Sequence, residues 1–248
     1  MGRGGDARMS LHMVEIYLDM KALLDVLHHK KRLHHDDEDL GYGMHTWLRE
    51  AFGELAPQPW RLWAGQGRPA RLLGYGRHSA SELRQALPDF ASPSLAAVVP
   101  DPGRDIQSKI LPGWDRGRRL GFEILAVPVG RKSRSGVEKD YYLLAMDQGK
   151  QASREEIYRS WLVRQMSPGA HVRRVDLVGF RLLKTWRRQR SGAAPSEQRF
   201  RPLIRPQALF RGELEVSDAE AFQRLLARGV GRHVAFGYGM LLLRPPRS

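Results

Sequence analysis

The chain has 248 residues, 42% of them apolar, and carries 41 Lys and Arg against 27 Asp and Glu for a formal net charge of +14. That length allows one large domain or two of ordinary size with a genuine core, and the charge favours a polyanionic partner, since each phosphate neutralised releases counterions. With no cysteine, disulfides and thiolate chemistry are excluded. No apolar run approaches a membrane span, and no charged-then-apolar leader opens the chain, so a cytoplasmic protein without a membrane partner is expected.

Met1 to Ser10 is rich in Gly and Arg and reads as a tail. Leu11 to Leu18 has the β-rich, partly alternating pattern of a first strand. Asp19 to Leu27 follows as a short helix with Met20, Leu23, Leu24 and Leu27 on one face. His28 to Asp39 (HHKKRLHHDDED) is almost wholly polar. Its histidines His28, His29, His34 and His35 are of a zinc-binding type, but no apolar framework beside them would orient a ligand set. Opposed charge blocks in a solvated loop are the reading adopted, with no metal and no cofactor.

Gly41 to Gly53 places Met44, Trp47, Leu48 and Phe52 at helical spacing, with a glycine suited to the stop. Trp60 to Trp63 and Arg68 to Tyr75 read as strands joined through Gly65-Gln66-Gly67. Ser79 and Glu82 fit a capping box for a helix reaching Leu87. Ser94 to Val99 reads as a fourth strand. Pro100 to Arg119, with Pro102, Gly103, Pro112, Gly113 and Gly117, reads as a linker.

A second unit repeats the order. Leu120 to Val129 and Tyr141 to Met146 read as strands. Ser153 and Glu156 cap a helix to Met166. Val172 to Trp186 and Leu209 to Val216 read as strands of an extended basic hairpin. Ser217 to Glu220 starts a last helix that ends at Gly229, and Met240 to Leu243 closes the chain as a buried strand. The fold class expected is α+β, two tandem ferredoxin-like (RRM-like) βαββαβ domains at 10–101 and 119–248 with a linker at 102–118.

Three stretches carry chemistry. Tyr42 and His45 lie three apart at the start of a helix, on one face, where helix N–H groups can seat a phosphate and an imidazole can move a proton near neutral pH. Half-buried packing is the alternative for both residues. Between Arg173 and Arg211 the chain is densely cationic, with Arg181, Lys184, Arg187, Arg188, Arg190, Arg199, Arg201, Arg205 and Arg211 interleaved by Trp186, Phe200 and Phe210. That density reads as an RNA face, with the aromatics flanking an unpaired nucleotide. Lastly Gly229, Gly231, Gly237 and Gly239 punctuate a loop carrying Arg232 and His233, either a tight turn that needs glycine or an anion pocket lined by backbone N–H groups.

The G-x-G-x(5)-G-x-G loop followed by an apolar strand resembles the signature of the repeat-associated RNA-binding proteins of CRISPR systems, above all the CasE enzymes of type I-E. Tyr42-x-Met44-His45-x-x-Leu48 is similar to the catalytic helix of that family, which implies a catalytic His45 assisted by Tyr42. Leu120 to Pro128 sits where the family has a strand ending in an Arg-Ala-Asn-Pro type sequence. Leu125 and Val127 replace its Arg and Asn, leaving Arg131, Lys132 and Arg134 just beyond as the basic candidates. Val234 stands where a lysine is frequent, so Arg232 or His233 supplies that charge.

The resemblance implies metal-independent cleavage of the stem-loop of a CRISPR repeat by 2′-OH attack. It also implies partnership with other type I-E Cascade subunits. A non-catalytic guide-RNA-binding subunit of the same lineage is the alternative, and a basic protein–protein scaffold a third class.

Overall fold

A computed structural model of the chain describes residues 10–33, 40–65, 68–131, 138–188 and 200–246. In the first half β1 (His12–Leu18) is followed by α1 (Met20–His29), α2 (Gly41–Phe52), β2 (Trp60–Gly65), β3 (Arg68–Gly76), α3 (Ala80–Phe90), α4 (Pro93–Ala96), α5 (Pro102–Asp105) and β4 (Ile106–Ile110). The second half runs β5 (Arg119–Ala126), β6 (Val129–Arg131), β7 (Glu138–Asp140), α6 (Tyr141–Asp147), α7 (Arg154–Met166), β8 (Ala170–Arg188), β9 (Phe200–Val216), α8 (Ala219–Arg228) and β10 (Leu241–Arg244).

The sheets are ordered β2-β3-β1-β4 and β10-β5-β9-β8, with β6 and β7 as a separate ribbon. In each sheet the first and third strands of the unit lie at the centre and pair antiparallel. That is the ferredoxin-like arrangement, present in both halves.

Period-2 and period-3.6 patterns explain the packing. Val14, Ile16, Leu72 and Ile106 face α2 and α3, which bury Trp47, Phe52, Leu83 and Leu87. Phe122, Ile124, Phe210 and Leu214 face α7 and α8, which bury Tyr158, Leu162, Phe222 and Leu226. Each such side chain contributes about 1.5–3 kcal/mol by leaving water. Both expected capping boxes are made, Ser79 with Glu82 and Ser153 with Glu156, so each box satisfies N–H groups at its helix start.

Four expectations need correction. The fourth strand is not Ser94–Val99: Pro93 at the first helical position starts α4 there, and the edge strand is Ile106–Ile110, inside the stretch read as a linker. Tyr141 to Met146 is a helix, because the Asp140 side chain accepts from Tyr142 N and turns the chain into α6. His28 and His29 close α1 rather than open a loop. Phe200, not Leu209, begins β9, so β8 and β9 form a hairpin paired from Ala170–Val216 to Arg188–Phe200.

The halves meet through β2, β3 and the C-terminal segment. Tyr75 Oη donates to Leu241 O at 2.7 Å, Arg61 Nη1 to Glu123 Oε1 at 3.0 Å, and Trp60 Nε1 to Ala235 O at 3.2 Å. Among the described residues, no helix is long and apolar enough to cross a membrane.

Candidate active site

On α2 the buried stripe is Met44, Trp47, Leu48, Ala51 and Phe52, the i, i+3, i+4, i+7, i+8 set of a core-facing helix. His45 follows Met44 by about 100° of turn, so it sits at the border of that stripe, half-buried, and Tyr42 shares its side of the helix. Leu40 at the N-cap brings no side-chain acceptor, and no acid occupies the first turn. The His45 imidazole is held below its ordinary pKa, chiefly by burial and further by the Arg49 guanidinium one turn on. It is neutral at neutral pH and able to accept a proton.

The glycine-rich loop folds against this helix. Gly229, Gly231, Gly237 and Gly239 all have positive φ, a region that side-chain-bearing residues rarely adopt. A Cβ on Gly237 would lie 2.6 Å from the Trp60 ring, and one on Gly239 would lie 2.4 Å from Val230 O. The loop carries a single 3-10 turn, Val234–Phe236. From it the Phe236 ring meets the His45 ring edge-on at 5.3 Å between centroids. The two stretches singled out at opposite ends of the sequence are thus adjacent in space.

Four of the loop's amides are used within the protein. Gly229 N donates to Leu225 O, Val230 N to Gly239 O, Phe236 N to His233 O and Gly239 N to Leu125 O, at 2.8–2.9 Å. These four groups hold the loop, which also presents basic side chains. Arg232 Nε donates to Glu138 Oε1 at 2.8 Å, and His233 Nε2 lies 2.8 Å from Glu138 Oε2. Arg205 Nη2 on β9 lies 3.7 Å from the same oxygen. Burial alone would raise the Glu138 carboxyl, but His233, Arg232 and Arg205 outweigh it and hold the group below the usual carboxylate range.

The cationic stretch divides. On one face of the hairpin Leu183, Thr185 and Arg205 are buried, and Arg181 Nε donates to Gln207 Oε1 at 2.6 Å. Gln207 in turn donates to Tyr238 Oη at 3.1 Å, next to the glycine loop. On the other face Phe180, Leu182 and Ile204 are exposed and Lys184 projects beside them. Strand alternation sends neighbours to opposite sides, so Arg181 and Lys184 do not share one surface, contrary to the single face expected.

Other members of that stretch have separate surroundings. Phe210 is fully buried and cannot flank a nucleotide. Arg211 Nε is bonded to Glu123 Oε2 at 2.7 Å, on the side of the sheet that meets β2. Arg187 and Arg201 are register partners within the hairpin, as are Arg188 and Phe200. Arg190 and Arg199 lie outside the described residues, as do Lys132 and Arg134, whereas Arg131 is exposed at the end of β6. Among the described residues no three His, Cys, Asp or Glu side chains gather as a metal site.

Two site residues escaped the sequence reading, Phe236 and Glu138. Phe236 lies between quoted glycines and offered only its position as a signal. Glu138, an acid just after a basic run, offered none.

The sequence profile of the family described as CRISPR associated protein matches residues 12–245. No curated protein matches the chain. Among solved structures it is similar to the CRISPR endoribonuclease Cse3 bound to a 19-nucleotide RNA, at 22% identity and TM-score 0.63 over 95% of this chain and 100% of that one. It is also similar to Cas6e from Escherichia coli str. K-12, at 17% identity and TM-score 0.54 with the same coverage. A chain of a CRISPR RNA-guided surveillance complex matches at 19% identity and TM-score 0.57, again over 95% and 100%. The likeness expected from the two ends of the chain extends over nearly its whole length.

Proposed function

The chain belongs to the CRISPR-associated protein family, and from that membership we propose that it is an endoribonuclease that cuts CRISPR repeat stem-loops in precursor RNA. It then keeps the product as an RNA-holding subunit of a type I-E Cascade assembly. The observation that carries this reading is the ring contact between His45 and Phe236, which joins the helix resembling a catalytic helix to the glycine-rich loop. The RNA-bound Cse3 and the surveillance-complex chain, alike in fold, support the substrate class and the partners.

The reaction proposed is an internal transesterification. The 2′-oxygen attacks the adjacent phosphorus in line, the P–O5′ bond breaks, and a 2′,3′-cyclic phosphate and a 5′-OH remain. Neutral His45 takes the 2′-OH proton, or in its protonated form gives one to the departing 5′-oxygen. Such proton transfer typically contributes 10²–10⁴-fold. Tyr42, on the same side of the helix, hydrogen-bonds the phosphate or orients the attacking hydroxyl. The α2 N-terminus and nearby cations offset the charge that develops on the phosphate. Clamping the backbone in line supplies much of the remainder. The nucleophile belongs to the substrate, so the chemistry requires no metal-bound water.

Repeat RNA incubated with the protein in EDTA tests this. Cleavage is expected with EDTA present, and a 2′-deoxy substitution upstream of the cut is expected to abolish it. Efficient cutting of the deoxy substrate, or loss of activity in EDTA, would overturn the mechanism. Tight binding without any cleavage would leave a guide-RNA-binding subunit instead.

A further inference from the structure

Beside the proposed site, two arginines and a histidine from two elements converge on one acid. Arg232 and His233 come from the glycine-rich loop and Arg205 from β9, and their ion pairs end on the two oxygens of Glu138. Glu138 itself opens β7, in register with the exposed Arg131 of β6. The two guanidinium groups, and the imidazole whenever it is protonated, repel one another, and in a partly buried setting that repulsion is poorly screened. A carboxylate between them offsets it before any RNA is present.

The cluster is also linked to the catalytic helix by direct contacts. The His233 side chain is only 5% exposed. Its ring lies 6.0 Å from that of Phe236, and Phe236 lies 5.3 Å from that of His45. His233 occupies the left-handed region at φ 66°, a conformation that persists in a non-glycine residue only when its surroundings enforce it. The bond to Glu138 is one such enforcement.

We propose that Glu138 is a positioning residue: its carboxylate holds Arg205, Arg232 and His233 together and, through the His233 and Phe236 rings, sets the orientation of His45. This rests on the nuclease reading above. Glu138 touches no reacting atom. As an acid near a polyanion it opposes binding, while the order it imposes speeds the chemical step. A residue that served folding alone would not separate those two effects.

The test compares wild type, Glu138→Gln and Glu138→Asp on a repeat stem-loop RNA, measuring the dissociation constant and the single-turnover cleavage rate at saturating protein. For Glu138→Gln, affinity is expected to stay the same or tighten, while the rate falls on the order of 10- to 100-fold, as for a small misplacement of a reacting group. Glu138→Asp, which restores the charge, is expected to recover part of the rate. A Glu138→Gln protein that cuts at the wild-type rate overturns the proposal, as does a parallel loss of affinity and rate, or an Asp variant no better than Gln.

Should Glu138→Gln fail to fold, His233→Phe keeps a ring against Phe236 but loses the bond to Glu138. It is expected to slow cutting with binding retained, and wild-type cutting by that variant overturns the proposal. If wild type itself binds but does not cut, the nuclease reading falls and takes this one with it. Failure of the Glu138 variants alone leaves the nuclease reading intact.

Discussion

Gly237→Ala tests whether the glycine-rich loop is held by shape against the proposed catalytic helix α2. Gly237 has φ 87°, and a Cβ there would stand 2.6 Å from Cζ3 and 2.9 Å from Cη2 of Trp60. Carbon atoms rest at about 3.5–4.0 Å, so one group must move by roughly 1 Å. Trp60 cannot readily yield, being 3% exposed and bonded through its indole N–H to Ala235 O. The loop moves instead, and with it the adjacent Phe236 that touches His45.

The left-handed backbone costs an alanine about 1–2 kcal/mol and the overpacking about 1–3 kcal/mol. A loss of about 2–5 kcal/mol in urea unfolding is therefore expected from the two together. At a temperature where the variant is folded, single-turnover cleavage should fall on the order of 100-fold while RNA affinity changes little. A Gly237→Ala protein as stable and as active as wild type would refute the reasoning. One that is destabilised yet cuts normally when folded would show that Phe236 does not set the catalytic geometry.

His45→Ala should lose on the order of 10²–10⁴-fold in cleavage rate with binding of the repeat RNA retained, read from rates and gel shifts on the same preparation. With His45 as base, the rate climbs as the ring loses its proton and levels off once it is neutral; burial and Arg49 move the midpoint of that rise below the ordinary imidazole value. Arg49→Met removes the repelling charge, so the acid limb of the pH–rate profile should move to higher pH, and an unmoved or lowered limb would contradict the assignment. Tyr75→Phe, which deletes the hydroxyl bonded to Leu241 O between the halves, should cost about 1–2 kcal/mol in unfolding experiments and leave cleavage by the folded protein unchanged.

Several features were legible because their signals are local. The α2 stripe from Met44 to Phe52 is a spacing rule, and the Ser79 and Ser153 boxes are satisfied within one helical turn. The four loop glycines announced positive φ, which they all adopt. Where local signals competed, the reading failed. Tyr141 to Met146 is aromatic and apolar enough for a strand, but the Asp140 cap decides for a helix. The edge strand Ile106–Ile110 buries only Ile106 and lies among turn-forming residues, so its pairing with β1 left little trace in composition.

The cationic stretch shows the same limit from another side. Counting arginines between Arg173 and Arg211 predicts attraction to a polyanion but assigns no direction to any side chain. Strand alternation puts Arg205 and Arg211 on one face of β9, where Arg205 lies beside Glu138 and Arg211 meets its β5 register partner Glu123.

By itself, then, the amino-acid sequence determined the tandem ferredoxin-like plan, the basic character and the two stretches on which the site is built, since periodicity, capping and glycine content act over a few residues. Only the tertiary structure decided that Phe236 would stand against His45 and that Glu138 would gather Arg205, Arg232 and His233. Those contacts join residues far apart along the chain: the His45 contact depends on how the two halves are docked and the Glu138 cluster on how β7, β9 and the loop pack within the second half, matters that no short window of sequence encodes.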